Sequence, residues 1–277
     1  MANSVNTNVG ALVALSSLRT LNSDLDKTSK KVQTGFRVAD ASDDAAVFAV
    51  AQGIRGNIKA YASVQSSLAA GEGLGQVTAA ALSGISNLIG DIKAKFANLA
   101  DGSLTTAQRD VYENEVDQLI GQISNYVSQA TYNGKNLLGG TTGGTAVTFV
   151  ADVSGTTLTL QTSSGLESAV TAFDASFAAD YTAASNYGSA ITSLETLELL
   201  VNSISAQIAA QSRSISLQKG FVNDLVDATK KGLGALVDAD VAAESATLQS
   251  LQVRQQLNIQ ALSIANQQPN TLLSLFR

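Results

Sequence analysis

From Val5 onward the apolar positions Val5, Val9, Leu12, Leu15, Leu18, Leu21, Leu25 and Val32 recur at steps of three, four or seven, with no proline and no glycine after Gly10. This spacing puts one apolar stripe along a helix, predicted over residues 4–34. Thr34-Gly35 closes it, because glycine takes the left-handed conformation that ends a helix. Phe36 to Asp44 has no period, and Ser42-Asp43-Asp44 supplies capping side chains for a second helical stretch over 45–101. Gly71-Glu-Gly-Leu-Gly75 lies within that stretch. At about 1 kcal/mol per glycine relative to alanine, it is expected to bend or break the helix. Asp101-Gly102-Ser103 reads as a turn before a third helix over 105–130, with Val111, Val116, Leu119, Ile123 and Val127 on one side.

After Tyr132-Asn133-Gly134 the pattern changes. Between 135 and 185 glycine and threonine rise, the helical period is lost, and Val147–Val150 and Thr157–Leu160 read as strands joined by a turn at Ser154-Gly155. Residues 141–190 contain acids (Asp152, Glu167, Asp174, Asp180) but no base, so this segment is expected to be a small insert facing solvent.

Helix then resumes with the strongest period in the chain. Leu194, Leu197, Val201, Ile204, Ile208, Gln211, Ile215, Gln218, Val222 and Leu225 alternate steps of three and four, the spacing of a coiled-coil seam. Gln211 and Gln218 either set register or face water. Gly232 to Gly234 reads as a break before a last helix over about 238–266. That helix carries Val241, Leu248, Leu251, Leu262 and Ala265 on one face, interrupted by Gln255 and Asn258. Pro269 is expected to end it ahead of an apolar tail of Leu272, Leu273, Leu275 and Phe276. The fold class is therefore mainly α: an elongated rod of long antiparallel helices with a terminal coiled coil and a small insert containing a β-hairpin.

Composition narrows the chemistry. Charged residues are 14% of the 277, against roughly 25% in an ordinary globular chain, and the net charge of −6 leaves no basic surface for nucleic acid. With no Cys and no His, disulfides, thiol nucleophiles, imidazole ligation and serine or cysteine triads are excluded. Apolar runs such as Gly10 to Leu15 are too short for membrane insertion, and the first eighteen residues lack the basic start and apolar block of a secretory signal. Asp43 with Asp44, Asp238 with Asp240, and the glycines at 71, 73 and 75 are the constellations to weigh for chemistry. Acids at helix starts are accounted for by capping, and the glycine run lacks the preceding strand and Lys-Ser/Thr of a phosphate loop. We therefore expect no catalytic residue, no metal and no cofactor. Ordering about seventy terminal residues costs ~100 kcal/mol at ~1.5 each, and two slim stripes offset little of it, so both termini are expected to need other subunits in order to fold.

Several motifs, in order, resemble the bacterial flagellins, in a form most like those of alphaproteobacteria. Val5-Asn6-Thr7-Asn8 is similar to the family's opening, and Thr34-Gly35-Phe-Arg37-Val38 through Asp43-Asp44-Ala45-Ala46 to its next signature. Thr131-Tyr132-Asn133-Gly134-Lys-Asn-Leu137-Leu138 resembles the site after its third helix. Asp238-Ala239-Asp240, Glu244-Ser245, Gln255-Gln256, Ala261 to Gln267 with Asn266, and the closing Leu272 to Arg277 resemble its C-terminal pattern. The insert has no counterpart among these motifs. Asp91 to Ala97 departs from the Arg and Glu-Leu pattern of flagellins sensed by the animal innate receptor, which implies weak recognition.

The resemblance implies a structural protein and no enzyme: a subunit that polymerises head to tail into the extracellular flagellar filament for swimming. The resemblance further implies export in the unfolded state by the flagellar type III route with an export chaperone, and contact with filament cap and hook-junction proteins. It implies a coiled-coil core domain from 1–40 and 235–277, a helical shaft domain from 41–140 and 186–234, and a variable insert at 141–185. Subunit and coiled-coil contacts are then expected at Val5, Val9, Leu12, Leu25, Val32, Leu194, Leu197, Val201, Ile204, Ile208, Leu248, Leu251, Leu262, Leu272, Leu273, Leu275 and Phe276. The alternatives are a hook-filament junction protein of the same family and a secreted membrane-active helical protein.

Overall fold

A computed structural model describes residues 8–139, 146–162, 165–182 and 187–274. Among them the protein forms six helices, α1 (Val9–Thr34), α2 (Ala45–Leu99), α3 (Thr106–Gln129), α4 (Leu166–Thr182), α5 (Gly188–Val237) and α6 (Val241–Ser274). Two antiparallel hairpins join them, β1 (Thr131–Tyr132) with β2 (Lys135–Asn136) and β3 (Val147–Val150) with β4 (Thr157–Leu160). The chain is mainly α. It divides into a unit of residues 1–58 and 228–277 and a unit of residues 59–227.

Unit 59–227 is built on one contiguous apolar core. α2 contributes Val64, Leu68, Leu82, Ile85, Ile89 and Ile92, α3 contributes Val116, Ile120, Ile123 and Val127, and α5 contributes Leu194, Leu197, Val201, Ile204, Ile208, Ile215 and Val222. The alternating steps in α5 thus form an interior stripe shared by several helices.

The glycine run neither breaks nor ends α2, which passes through Gly71, Gly73 and Gly75. Its role is close approach: a Cβ at Gly71 would lie 3.0 Å from the Phe149 ring, and one at Gly73 would lie 2.9 Å from the Tyr132 ring. Gly84 receives Tyr126 in the same way, at 2.8 Å. Both hairpins therefore seat an aromatic ring on a bare patch of helix backbone. The Gly232 to Gly234 stretch is likewise continuous helix in α5.

The two glutamines in the α5 stripe hold the β3–β4 hairpin. Gln211 accepts from the Gln161 amide at 3.0 Å and donates back to its carbonyl at 3.1 Å, while Gln218 donates to the Ala151 carbonyl at 2.9 Å. The hairpin turns at Gly155, φ +90°. The expectation of a solvent-facing insert is corrected, because Leu160, Leu166 and Phe173 are fully buried. The segment also contains α4, a helix the sequence reading missed. Its apolar positions Leu166, Val170, Phe173 and Phe177 follow a helical period, and Phe96 of α2 meets Phe173 edge-on at 6.3 Å.

Glu113 and Asp180 are buried acids of this unit; Asp180 accepts from the Ala190 amide at 2.9 Å. Glu113 of α3 accepts from the Tyr187 hydroxyl; Tyr187 has φ +55° and the Arg109 guanidinium lies 6.0 Å from its ring centre. Burial pushes the Glu113 carboxyl above its ordinary range; Asp110 adds to the shift and Arg109 opposes it.

Two outcomes follow from this packing. Gly71→Leu should destabilise unit 59–227 by about 1–3 kcal/mol through overpacking, whereas Gly90→Ala, with nothing within 4 Å of the added carbon, should stabilise it by about 0.5–1 kcal/mol; denaturant unfolding checks both. A carboxyl with a raised native pKa is better protonated in the fold than in the unfolded chain. Stability should then fall as pH rises from the ordinary glutamate value through the raised one, and stay lower above it. Glu113→Gln should remove that fall, measured as the difference between the two proteins' melting temperatures across pH.

Candidate subunit interface

In the other unit, α1 and α6 lie side by side along one seam. Ala11, Ala14, Leu18, Leu21, Leu25, Thr28 and Val32 of α1 are buried or half-buried at alternating steps of three and four, as are Leu248, Leu251, Gln255, Asn258, Leu262 and Ala265 of α6. Polar contacts mark an antiparallel register: Lys31 to Glu244 at 3.2 Å, Gln255 to Asn22 at 2.8 Å, and Asn8 to the Ala265 carbonyl at 2.7 Å. Gln255, an interruption in the sequence pattern, is thus a partnered seam residue.

The predicted single stripe on α1 divides into two. Leu18, Leu21, Leu25 and Val32 lie on the seam, while Val9, Leu12, Val13 and Leu15 lie off it and are exposed, Leu12 at 56%. On α6, Leu248, Leu251 and Leu262 lie on the seam, whereas Val241, Val253, Leu257, Ile259 and Ile264 are exposed, Leu257 at 57% and Ile264 at 67%. Beside the seam runs an open groove of about 490 Å³, lined by Ser16, Ser17, Thr20 and Asp24 of α1 and Arg254, Leu257 and Asn258 of α6. Of the positions expected in subunit or coiled-coil contacts, Leu194, Leu197, Val201, Ile204 and Ile208 lie in the interior of their own chain, Ile204 at 0% exposure. Val5, Leu275 and Phe276, and the side chains of Leu272 and Leu273, lie outside the described residues.

The ends of these helices also depart from the sequence expectation. α1 starts at Val9, not residue 4, because extended Asn8 caps it, its Oδ1 accepting from the Ala11 amide at 3.0 Å. α6 starts at Val241 and runs through Pro269 to Ser274. The proline does not stop it.

The family-motif residues gather where α1 leads to α2 and α5 leads to α6. Phe36 and Asp238 form an antiparallel bridge. Arg37 N donates to the Val237 carbonyl at 2.7 Å, and Ala239 N to the Gly35 carbonyl at 2.8 Å. The Arg37 guanidinium donates to the Leu236 carbonyl at 2.5 Å, bringing a cation to the C-terminal end of α5, whose own last turn carries no base. Asp44 caps α2 by accepting from the Ala46 and Val47 amides at 3.0 Å, and Asp240 caps α6 by accepting from Ala242 at 3.0 Å and Ala243 at 3.1 Å. Asp43 accepts from the Ala39 and Asp40 amides at 3.0 and 3.2 Å. Asp40 pairs with Lys30, and that bond, with those from Ser42, holds its carboxyl far below the usual range. Gly234 leaves room for the Asp238 carboxylate, which would lie 2.6 Å from a Cβ there. Glu244 pairs with Lys31, and Asn266 is exposed on α6. Asn133 and Gly134 lie in the other unit, where their positive φ values of 48° and 72° make the β1–β2 turn.

Asp40, Asp43, Asp44, Asp240 and Glu244 are thus occupied with amides and lysines, an arrangement of caps, turn bonds and ion pairs. Among the described residues no group of three or more His, Cys, Asp or Glu is placed to hold a metal ion, and no helix is long and apolar enough to cross a membrane.

Long helices from opposite ends of the sequence pair on a thin seam and leave apolar side chains exposed beside it, in a mainly helical chain. The chain belongs to the bacterial flagellin family: residues 5–142 match the flagellin N-terminal helical region and residues 185–276 the C-terminal helical region. It is 37% identical to Flagellin FljM of Caulobacter vibrioides, across 99% of both chains, and 34% identical to a flagellin of Brucella melitensis, again across 99% of both. Its fold is shared with a solved structure described as a flagellar hook-associated protein from Vibrio parahaemolyticus, at a TM-score of 0.58 and 16% identity, covering 71% of this chain and 100% of that one.

Arg37→Ala should loosen the α1–α2 and α5–α6 crossing. Amide exchange at residues 35–39 and 236–239 should speed about threefold while exchange in the unit 59–227 core stays unchanged; hydrogen-exchange mass spectrometry reads both.

Proposed function

We propose that the protein is a flagellar filament subunit that polymerises with copies of itself through the off-seam faces of α1 and α6. The observation that carries this is the exposure of Val9, Leu12, Val13, Val253, Leu257 and Ile264 on helices whose own seam is already filled. An apolar surface of this kind is covered in solution by another chain. A contact between different faces of identical subunits, where the rotation does not close, gives a helical polymer. Val5, Leu272, Leu273, Leu275 and Phe276 extend the same apolar pattern along the sequence and are assigned to the same contacts.

In this reading unit 1–58 with 228–277 supplies the filament core and unit 59–227 the surrounding shaft. The subunit leaves the cell unfolded through the flagellar type III route with an export chaperone and no membrane insertion. At the filament ends it meets cap and hook-junction proteins. The role is structural, as in the flagellin family, and uses no cofactor, metal or nucleic acid.

Leu257→Asp and Val13→Asp should leave the melting of unit 59–227 unchanged and raise the protein concentration needed for filaments at least tenfold, read by electron microscopy and sedimentation in a salting-out salt. Ile204→Asp should instead unfold that unit. Normal filaments from both surface variants overturn the interface assignment.

A further inference from the structure

Pro269 lies inside α6, and a proline has no amide hydrogen. The carbonyl four residues earlier, that of Ala265, therefore has no donor from position 269. It is instead taken up by the Asn8 side chain, whose Nδ2 donates to the Ala265 oxygen at 2.7 Å across a sequence separation of 257. The other end of the same amide, Oδ1, accepts from the Ala11 N–H at 3.0 Å and caps α1. We propose that Pro269 and Asn8 form a register lock for the α1·α6 pair: the proline frees a backbone acceptor at one position of α6, and the asparagine amide occupies it while capping α1.

The residue types suit the task. Aspartate and serine cap a helix as well as asparagine does. Aspartate offers no donor when ionised, and serine is too short to cap and also reach the neighbouring helix. The bond also falls where apolar packing discriminates least. Ala11 and Ala14 on α1 and Ala265 on α6 are small seam residues, so slipping the pair by one heptad there changes little buried volume. In pairs of this kind, polar contacts at single seam positions specify register. Gln255 with Asn22 does so in the middle, Lys31 with Glu244 near the crossing, and Asn8 with Ala265 at the far end.

The consequence rests on the polymerisation reading. Both helices contribute exposed apolar side chains, Val9, Leu12 and Val13 from α1 and Leu257 and Ile264 from α6. Sliding α6 by one heptad displaces its exposed side chains by about 10.5 Å relative to those of α1. The lock thus sets the shape offered to the next copy.

The chain has no cysteine, so an introduced pair reports register directly. Ala14→Cys with Leu262→Cys places thiols at positions the observed register sets opposite one another, and Ala14→Cys with Gln255→Cys reports a slip of one heptad. Each pair is carried on a full-length chain doped at trace level into excess unsubstituted protein, so that assembly does not depend on the variant. Asn8→Ser should lower the ratio of in-register to slipped cross-linking about fivefold, the size expected for one hydrogen bond, and Asn8→Asp should act in the same direction. Pro269→Ala restores the amide that satisfies Ala265. Asn8→Ser in that background should change the ratio less than twofold, the non-additivity of a coupled pair. An unchanged ratio in Asn8→Ser, or an equal fall with and without Pro269, overturns the lock. If the unsubstituted protein forms no filaments, the polymerisation reading fails, and the same ratio on the soluble chain still decides the lock.

Discussion

Two helices lying side by side share one seam, and apolar side chains off that seam face outward. In α1 and α6 the seam takes Leu18, Leu21, Leu25 and Val32 against Leu248, Leu251 and Leu262. Leu12, Val13, Leu257 and Ile264 are left over. A third helix from the same chain would cover them in a closed bundle. None of the described helices does so, and the surplus apolar surface is the property from which the polymer reading follows. The crossing at Gly35 to Ala39 and Leu236 to Ala239 serves this arrangement by tying together the segments that lead into the two helices. Its bonds run between backbones and from Arg37, and Val38 and Val237 are buried beside them.

Unit 59–227 meets the opposite condition, in which several long helices can bury a wide core. Its sequence contains two short hairpins that cannot stand alone. Glycines on α2 let Phe149 and Tyr132 rest against the helix backbone, and Gln211 and Gln218 of α5 supply the hydrogen bonds that the β3–β4 hairpin lacks at its ends. A helix interior normally excludes glycine, at about 1 kcal/mol each relative to alanine. At positions 71 and 73 that cost is offset by contact with a large ring. The same residues that weaken the helix in isolation therefore fix the hairpins in the assembled unit.

Much of this architecture was legible in the sequence, and the exceptions have physical causes. The α5 stripe was clear because a helix buried on one face over many turns repeats its pattern unbroken. The β3–β4 turn was clear because Gly155 takes a positive φ. α4 was missed because its four apolar positions sit among alanine, serine and threonine, so its exposed face gives little contrast with its buried one. The glycine run and Pro269 were read as breaks by propensity alone, and in both places a tertiary partner offset the local cost: Phe149 and Tyr132 for the glycines, Asn8 for the carbonyl that Pro269 leaves open. On α1, two faces overlap in a run of spacings of three and four, so sequence cannot tell which leucines meet α6 and which remain exposed. Asp44 and Asp240 were identifiable as helix caps, whereas Arg37 reaches the end of a helix 199 residues away and leaves no local signal.

The composition of the seam bears on how the pair persists. Ala11, Ala14 and Thr28 on α1 and Gln255 and Asn258 on α6 dilute its apolar content, and the polar contacts that remain specify position more than they add stability. A helix pair held by so thin a seam draws much of its stability from whatever covers its outer face. When that cover is another copy of the same chain, the order of α1 and α6 becomes a function of subunit concentration by mass action. A bulky leucine seam would stabilise the isolated pair, but it would also hold it folded before assembly, against the unfolded export proposed above. Weak pairing within the subunit and a broad apolar face outside it are thus two parts of one requirement: the pair acquires its full stability where the polymer forms.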